Sequence, residues 1–546
     1  MRPFHAITGA LAALLALGAP ALRAQHDHHA RAGVAGTAGL GEVAFPNSGA
    51  PATQEAFRRG LALLHSFEYE DAADAFREAR ERDPAFALAH WMEALTYRHG
   101  VWGTEGLAEA RAVLARLGPD ARSRLARARL PRERRFGAAV EALFADAPEP
   151  RRVGAWADSL RRLVAEEPGD PEWATFAAIA IMDAMRWMPP AARARARDES
   201  AALAERTFAA HPRHPGAAHF VLHANDDPDH AARAERAARA YAEIAPAAEH
   251  ALHMPSHIFV QLGLWDDAAA SNERAWAASR RWVAERGAPT AALSWHALSW
   301  LEYSYLQQGR RRAARALIDS ARTLLGARSD TIPGIDVRFA VPMMEFLYGA
   351  TTGSWSEPAP PIRASARNQR AFGFEASGDY WRAVAAHMRG NRGAAANQAA
   401  RFRRTADSLG TAPGAAFLRS TARQLEALAA LAGPDRARGL ALLREAAAAD
   451  TSAPLGPPQR LITAELLGAA LLEDGKGSEA AAAFAQALRL TPRRSSALLG
   501  LARARKMAGD VAGAAAAYRD LLASWDAADA DLPELAEARA GVLAAR

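Results

Sequence analysis

Residues 60–84 read GLALLHSFEYEDAADAFREARERDP, and within them Gly60, Ala72, Phe76, Ala79 and Pro84 stand at successive offsets of 12, 4, 3 and 5. Residues 468–492, GAALLEDGKGSEAAAAFAQALRLTP, carry Gly468, Ala480, Phe484, Ala487 and Pro492 at the same offsets. This is the pattern of a tetratricopeptide repeat, a helix pair of about 34 residues. Small residues sit where the helices cross, a large apolar residue fills the gap, and Pro closes the second helix. A third copy follows one period later, with Ala514 and Tyr518 in the places of Ala480 and Phe484. Degenerate copies lie between: Ala268, Asn272 and Ala275, then Ala314, Ile318 and Ala321 after Tyr305. Asn272 occupies a place where Phe is expected. A buried Asn needs hydrogen-bond partners, so it points to a polar interior, unless it is exposed or bonded locally.

Composition agrees with the repeats. Ala, Leu, Arg and Glu dominate and β-branched residues are sparse, which suits helices and not sheets. At 546 residues the chain exceeds one compact core. The expected fold is therefore all-α, a right-handed α-α superhelix of tetratricopeptide type, in up to two repeat blocks. The expected division is a signal peptide at 1–24 and a disordered His/Gly/Ala-rich linker at 25–42. An N-terminal block at 43–350 is followed by a Pro-rich linker at 351–371 and a C-terminal block at 372–546. The stretch from Thr104 to Glu167 reads as helices without a clear repeat match.

The N-terminus has Arg2, an apolar run from Ala6 to Leu17, and small residues at Ala19, Ala21 and Ala24, the layout of a secretory signal. The expectation is export to the periplasm or beyond, with cleavage near Ala21 or Ala24 and no membrane anchor afterwards. The chain has no Cys, which excludes a lipoprotein anchor, disulfides, thiolate ligands and a Cys nucleophile. The formal charge of +6 is carried almost entirely by Arg interspersed with Asp and Glu, as in Glu78-Ala79-Arg80-Glu81-Arg82-Asp83. That is the pattern of a solvated helix face, so no nucleic-acid partner is expected.

Phe45-Pro46-Asn47-Ser48-Gly49, Leu63-Leu64-His65-Ser66-Phe67-Glu68-Tyr69 and His253-Met254-Pro255-Ser256-His257-Ile258 resemble a group of bacterial exported tetratricopeptide-repeat proteins, over most of the mature chain. The resemblance implies the fold and gives weight to the His-Met-Pro-Ser-His string. It implies no activity and no ligand set.

Eight of the seventeen histidines fall between His211 and His257. His219 and His223 are four apart, and His250, His253 and His257 follow a 3-4 spacing; on helices each set shares one face. Pro255 interrupts the second set, because inside a helix it removes a hydrogen bond. If a helix begins near Met254, His250 and His253 hang from the preceding loop. Adjacent repeats bring the two sets together, so His219, His223, His250, His253 and His257 are the candidate metal ligands. Two or three of them with a carboxylate such as Glu249 or Asp227 would suit zinc, iron or manganese. The other reading is that they are structural and hydrogen-bond Asn272 or backbone. His211 and His214 read as loop residues, Asn225-Asp226-Asp227-Pro228 as a turn and cap, and His65, His90, His99 and His296 as core among aromatics. His26-Asp27-His28-His29 reads as a solvated tail.

There is no phosphate loop, nucleophile elbow or zinc-protease His-Glu pair. No catalytic or cofactor-binding residue is assigned beyond the metal candidates. The expected function is an exported scaffold binding a protein or peptide partner. The alternatives are a metal-dependent enzyme or metal-handling protein using the cluster, and a structural component of an envelope assembly.

Overall fold

The computed structural model describes residues 37–544 apart from 327–334, 357–368, 409, 411–414, 451–453 and 455. The expected signal peptide, the His26–His29 tail and the middle of the expected Pro-rich linker lie outside the described residues. The fold is all-α: helices succeed one another from Gln54 to Leu543, and the only strands among the described residues are Arg98–His99 and Thr104–Glu105. No helix among them is long and apolar enough to cross a membrane.

The repeat offsets correspond to direct contacts. Helix Gln54–His65 crosses helix Tyr69–Arg82 so closely that a Cβ on Gly60 would lie 2.8 Å from the Phe76 ring. In helices Thr463–Glu473 and Gly477–Leu490, a Cβ on Gly468 would lie 2.8 Å from Phe484. Only glycine at the crossing lets the Phe fill the gap. The degenerate copies pack the same way, since Ala268, Asn272, Ala275, Ala314, Ile318 and Ala321 are all fully buried.

Two expectations are corrected. The stretch from Thr104 opens as a strand, pairing His99 with Thr104 in an antiparallel hairpin, before helices resume at Leu107. Arg98 holds this hairpin through ion pairs to Asp183, Glu105 and Glu149 at 2.8, 2.9 and 2.8 Å. Packing also begins before residue 43. Leu40 is fully buried, and Glu42 N–H donates to Arg213 O at 2.9 Å. Gly41, at φ +83, lets the chain pass there, where a Cβ would lie 2.8 Å from Arg213 O.

The last repeats fold back onto the middle of the chain. Trp525 Nε1 donates to Gln307 O at 2.9 Å, Arg494 Nη1 to Tyr303 Oη at 2.8 Å, and Asp529 N–H to Gly309 O at 3.1 Å. The C-terminal end of helix Trp295–Gln307 is thereby held by the last repeats. Packing also continues across the Pro-rich region, where the Phe346 and Trp381 rings stack with centroids 5.7 Å apart.

Candidate metal centre

Helix Pro215–Ala224 starts with Pro215 at its first position, where the missing N–H costs nothing. The His214 side chain caps it, Nδ1 accepting Ala217 N–H at 3.1 Å. One repeat on, Glu249–His253 forms a short helix, Met254 keeps helical angles (φ −54, ψ −35), and Pro255 opens helix Pro255–Leu262. His250 and His253 are therefore helical rather than loop residues, because Pro255 falls at a helix start where it breaks no bond.

All five predicted histidines converge, and the structure divides them. His219, His223 and His250 form one trio, in which one ring nitrogen from each lies within 4.8 Å of the others. Ring centroids are 4.7, 5.0 and 6.3 Å apart. His219 Nδ1–H donates to His65 O at 2.7 Å, which fixes its tautomer and leaves Nε2 a bare acceptor. The Nε2 atoms of His219, His223 and His250 are all buried without a hydrogen-bond partner.

His253 and His257 form the second trio with His296, at 5.1, 4.7 and 6.1 Å between centroids. His253 Nδ1–H donates to Asn272 Oδ1 at 2.7 Å, while Asn272 Nδ2 donates to Ala268 O at 2.8 Å. His257 Nδ1–H donates to Asp226 Oδ2 at 2.7 Å. Both Nε2 atoms are thus acceptors, and they face each other at 3.1 Å. Two lone pairs at that distance repel unless an electrophile lies between them, either a proton or a metal ion. The expected polar role of Asn272 is met: it orients His253.

Burial, and then the neighbouring His223 charge, holds His219 well below the ordinary imidazole value. Burial likewise holds His250 and His253 well below it, and His223 down at about 3. These four rings are neutral at pH 7, the form that ligates metal.

The carboxylate expectation is corrected. Neither trio contains one. Asp226, not Asp227, faces the site, and it stands behind His257. Asp227 instead accepts from the His230 ring at 2.6 Å and pairs with Arg197 at 3.0 Å. Glu249 stands outside both trios, its carboxyl pushed up to about 7 by burial. Glu68 accepts His250 N–H at 2.9 Å and is pushed up to about 8 by burial and by Glu249.

Each trio has an aromatic floor. Phe67 lies 4.4, 5.4 and 5.5 Å from the rings of His219, His223 and His250. It is held at φ +59, the left-handed region, which costs a bulky residue roughly 1–2 kcal/mol. Trp300 lies 5.3, 4.1 and 5.4 Å from His253, His257 and His296.

Sequence reasoning missed His296, read as core, although it is exposed at the mouth of the second trio. It also missed the buried group of His65, Glu172 and His214. There His65 Nε2 donates to Glu172 Oε2 at 2.8 Å, and His214 Nε2 contacts Oε1 at 3.3 Å. Ala44 N–H also donates to Glu172 Oε1, at 3.3 Å. Burial pushes Glu172 up, and the rings of His65 and His214 pull it below its ordinary value. With its hydrogen bonds satisfied, this group anchors the N-terminal segment. The first trio differs from it in its bare Nε2 atoms, and in the second the Nε2 atoms of His253 and His257 face only each other.

No protein-family model matches the sequence, and no curated protein matches it. Among solved structures, the chain is similar to the human IFIT1 dimer with m7Gppp-AAAA, at 12% identity and a TM-score of 0.34, covering 88% of this chain and 91% of that one. It is similar to yeast Tom70 at 9% identity and 0.29, covering 90% and 89%. It is also similar to the tetratricopeptide-repeat domain of P58(IPK) at 11% and 0.21, covering 84% and 98%.

Proposed function

We propose that this chain is an exported helical-repeat scaffold that binds a protein or peptide partner and holds a transition-metal ion on His219, His223 and His250. Three buried ring nitrogens left unpartnered would cost roughly 1–3 kcal/mol each, a large share of the roughly 5–15 kcal/mol that holds a folded protein together. A bound ion turns that cost into coordination. The orphaned Nε2 atoms, with the His219 tautomer fixed by His65 O, are the observation that carries this reading.

A donor set of imidazoles alone suits zinc, copper, iron or nickel and disfavours manganese, which prefers oxygen. Support for a protein or peptide partner is architectural, since stacked repeats build extended interaction surfaces. Support for export is the hydrophobic N-terminus. The test is elemental analysis of protein produced with its own leader and purified without a His-tag. The expected result is at least one late first-row ion per chain, lost on joint His219→Ala and His223→Ala substitution. Folded protein free of metal after growth in metal-replete medium would overturn the reading.

A further inference from the structure

His219 and His253 stand 34 residues apart, as do His223 and His257, and 34 residues is one repeat period. Counted from helix starts at Pro215 and Glu249, both pairs occupy the fifth and ninth positions. His250 stands second after the Glu249 start, and His296 second after the Trp295 start. Each trio is therefore built by one rule: positions five and nine of one repeat's first helix, and position two of the next repeat's first helix. Taken in the order five–nine, five–two and nine–two, the ring centroids are 4.7, 5.0 and 6.3 Å apart in the first trio and 5.1, 4.7 and 6.1 Å in the second, so corresponding edges agree within 0.4 Å.

From this duplication we infer that His253, His257 and His296 bind a second late first-row ion, making a two-ion centre with one ion per repeat step. The inference rests on the reading of the first trio. The 3.1 Å between the Nε2 atoms of His253 and His257 corresponds to a bond angle of about 100° at an ion with bonds of about 2.0–2.1 Å, close to tetrahedral. Asn272 and Asp226 fix both tautomers from behind, as outer partners of metal-bound His do. Trp300 also packs on all three rings, as Phe67 does in the first trio, but from the helix that carries His296.

The two positions are not equal in access. The first trio is a buried His with two half-buried ones, whereas the second includes the exposed His296. The second ion is thus the exchangeable one, with a coordination position facing solvent, as in sites that act on substrates. The equivalent rings His223 and His257 are 6.5 Å apart, so ions in the two trios repel. That repulsion scales with the product of the charges and is about fourfold smaller for two copper(I) than for two zinc(II) ions. Copper(I) fills both positions more evenly, and zinc(II) fills the second more weakly.

The test is anaerobic titration of the metal-free full chain with copper(I), and separately with zinc(II), against chromogenic chelators. The parent and His296→Ala are compared, with circular dichroism confirming equal helicity. Position 296 is exposed, so its truncation spares the core. Two copper(I) equivalents in the parent, falling to one in H296A, are expected, with the second zinc(II) bound at least tenfold more weakly than the first. One equivalent of each metal in the parent, or two that survive H296A, overturns the second ion while leaving the first. No binding of either metal removes both. In Asp226→Asn, selective weakening of the second equivalent is expected, and unchanged affinity for both counts against the second centre.

Discussion

Replacing Asn272 by Leu separates a metal-orienting role from a packing role. Asn272 is fully buried, and its Oδ1 accepts His253 Nδ1–H at 2.7 Å. Leu removes that acceptor and strands a buried N–H, at a cost of about 1–3 kcal/mol. The same position takes Phe in the clear repeats, so the apolar side chain returns about 1.5–3 kcal/mol of transfer free energy. The two terms nearly cancel, and metal-free stability is expected within about 2 kcal/mol of the parent by urea denaturation. Metal affinity has no such compensation. Loss of an outer partner typically costs 10–100-fold, or about 1.4–2.7 kcal/mol, read by chelator competition at the second trio alone. N272L that folds normally and binds metal with parental affinity would refute the orienting role.

Gly60→Ala places a Cβ 2.8 Å from the Phe76 ring and is expected to destabilise by about 1–3 kcal/mol in urea. Gly154→Ala, in a helix with nothing within 4 Å of the new atom, is expected to stabilise by up to about 1 kcal/mol; equal effects would undo the crossing argument. Stability of the metal-free protein is expected to fall on acidification below about pH 6.5. Burial holds His65, His219, His250 and His253 below their ordinary value, His223 at about 3 and His90 at about 4, so the unfolded chain takes up more protons there. Glu68 and Glu249, pushed up to about 8 and 7, and Glu302, Asp71 and Glu345, also raised by burial, take up protons in the folded state and reduce the slope. Melting temperature flat from pH 7 to 5 would contradict this. N-terminal sequencing of the exported form is expected to start just after Ala21 or Ala24, and a start at Met1 would exclude the signal peptide.

The fold was legible because its decisive contacts recur at fixed separations. Gly60 meets Phe76 and Gly468 meets Phe484, so the same crossing is written twice. The five histidines were legible from helical spacing, and Asn272 from its departure from the repeat. His296 was not, because Trp295 and Trp300 beside it suggest core; the 34-residue offset between the two His pairs signals a repeated site but does not reach His296, 46 residues beyond His250. Which of Asp226 and Asp227 faces the site depends on how the turn seats between helices, which local sequence does not encode. Only tertiary packing shows that His65 O fixes the His219 ring from 154 residues away. The two-residue hairpin at Arg98–Glu105 is too short for any periodic pattern.

The central claim is that bare imidazole nitrogens in this solenoid are metal ligands. Anomalous diffraction from a metal-loaded crystal, collected on both sides of the metal's absorption edge, tests it most directly. The expected result is an anomalous peak about 2.0–2.1 Å from ring nitrogens of His219, His223 and His250. Occupied metal elsewhere on the chain, with these rings linked only by ordered water, would contradict it.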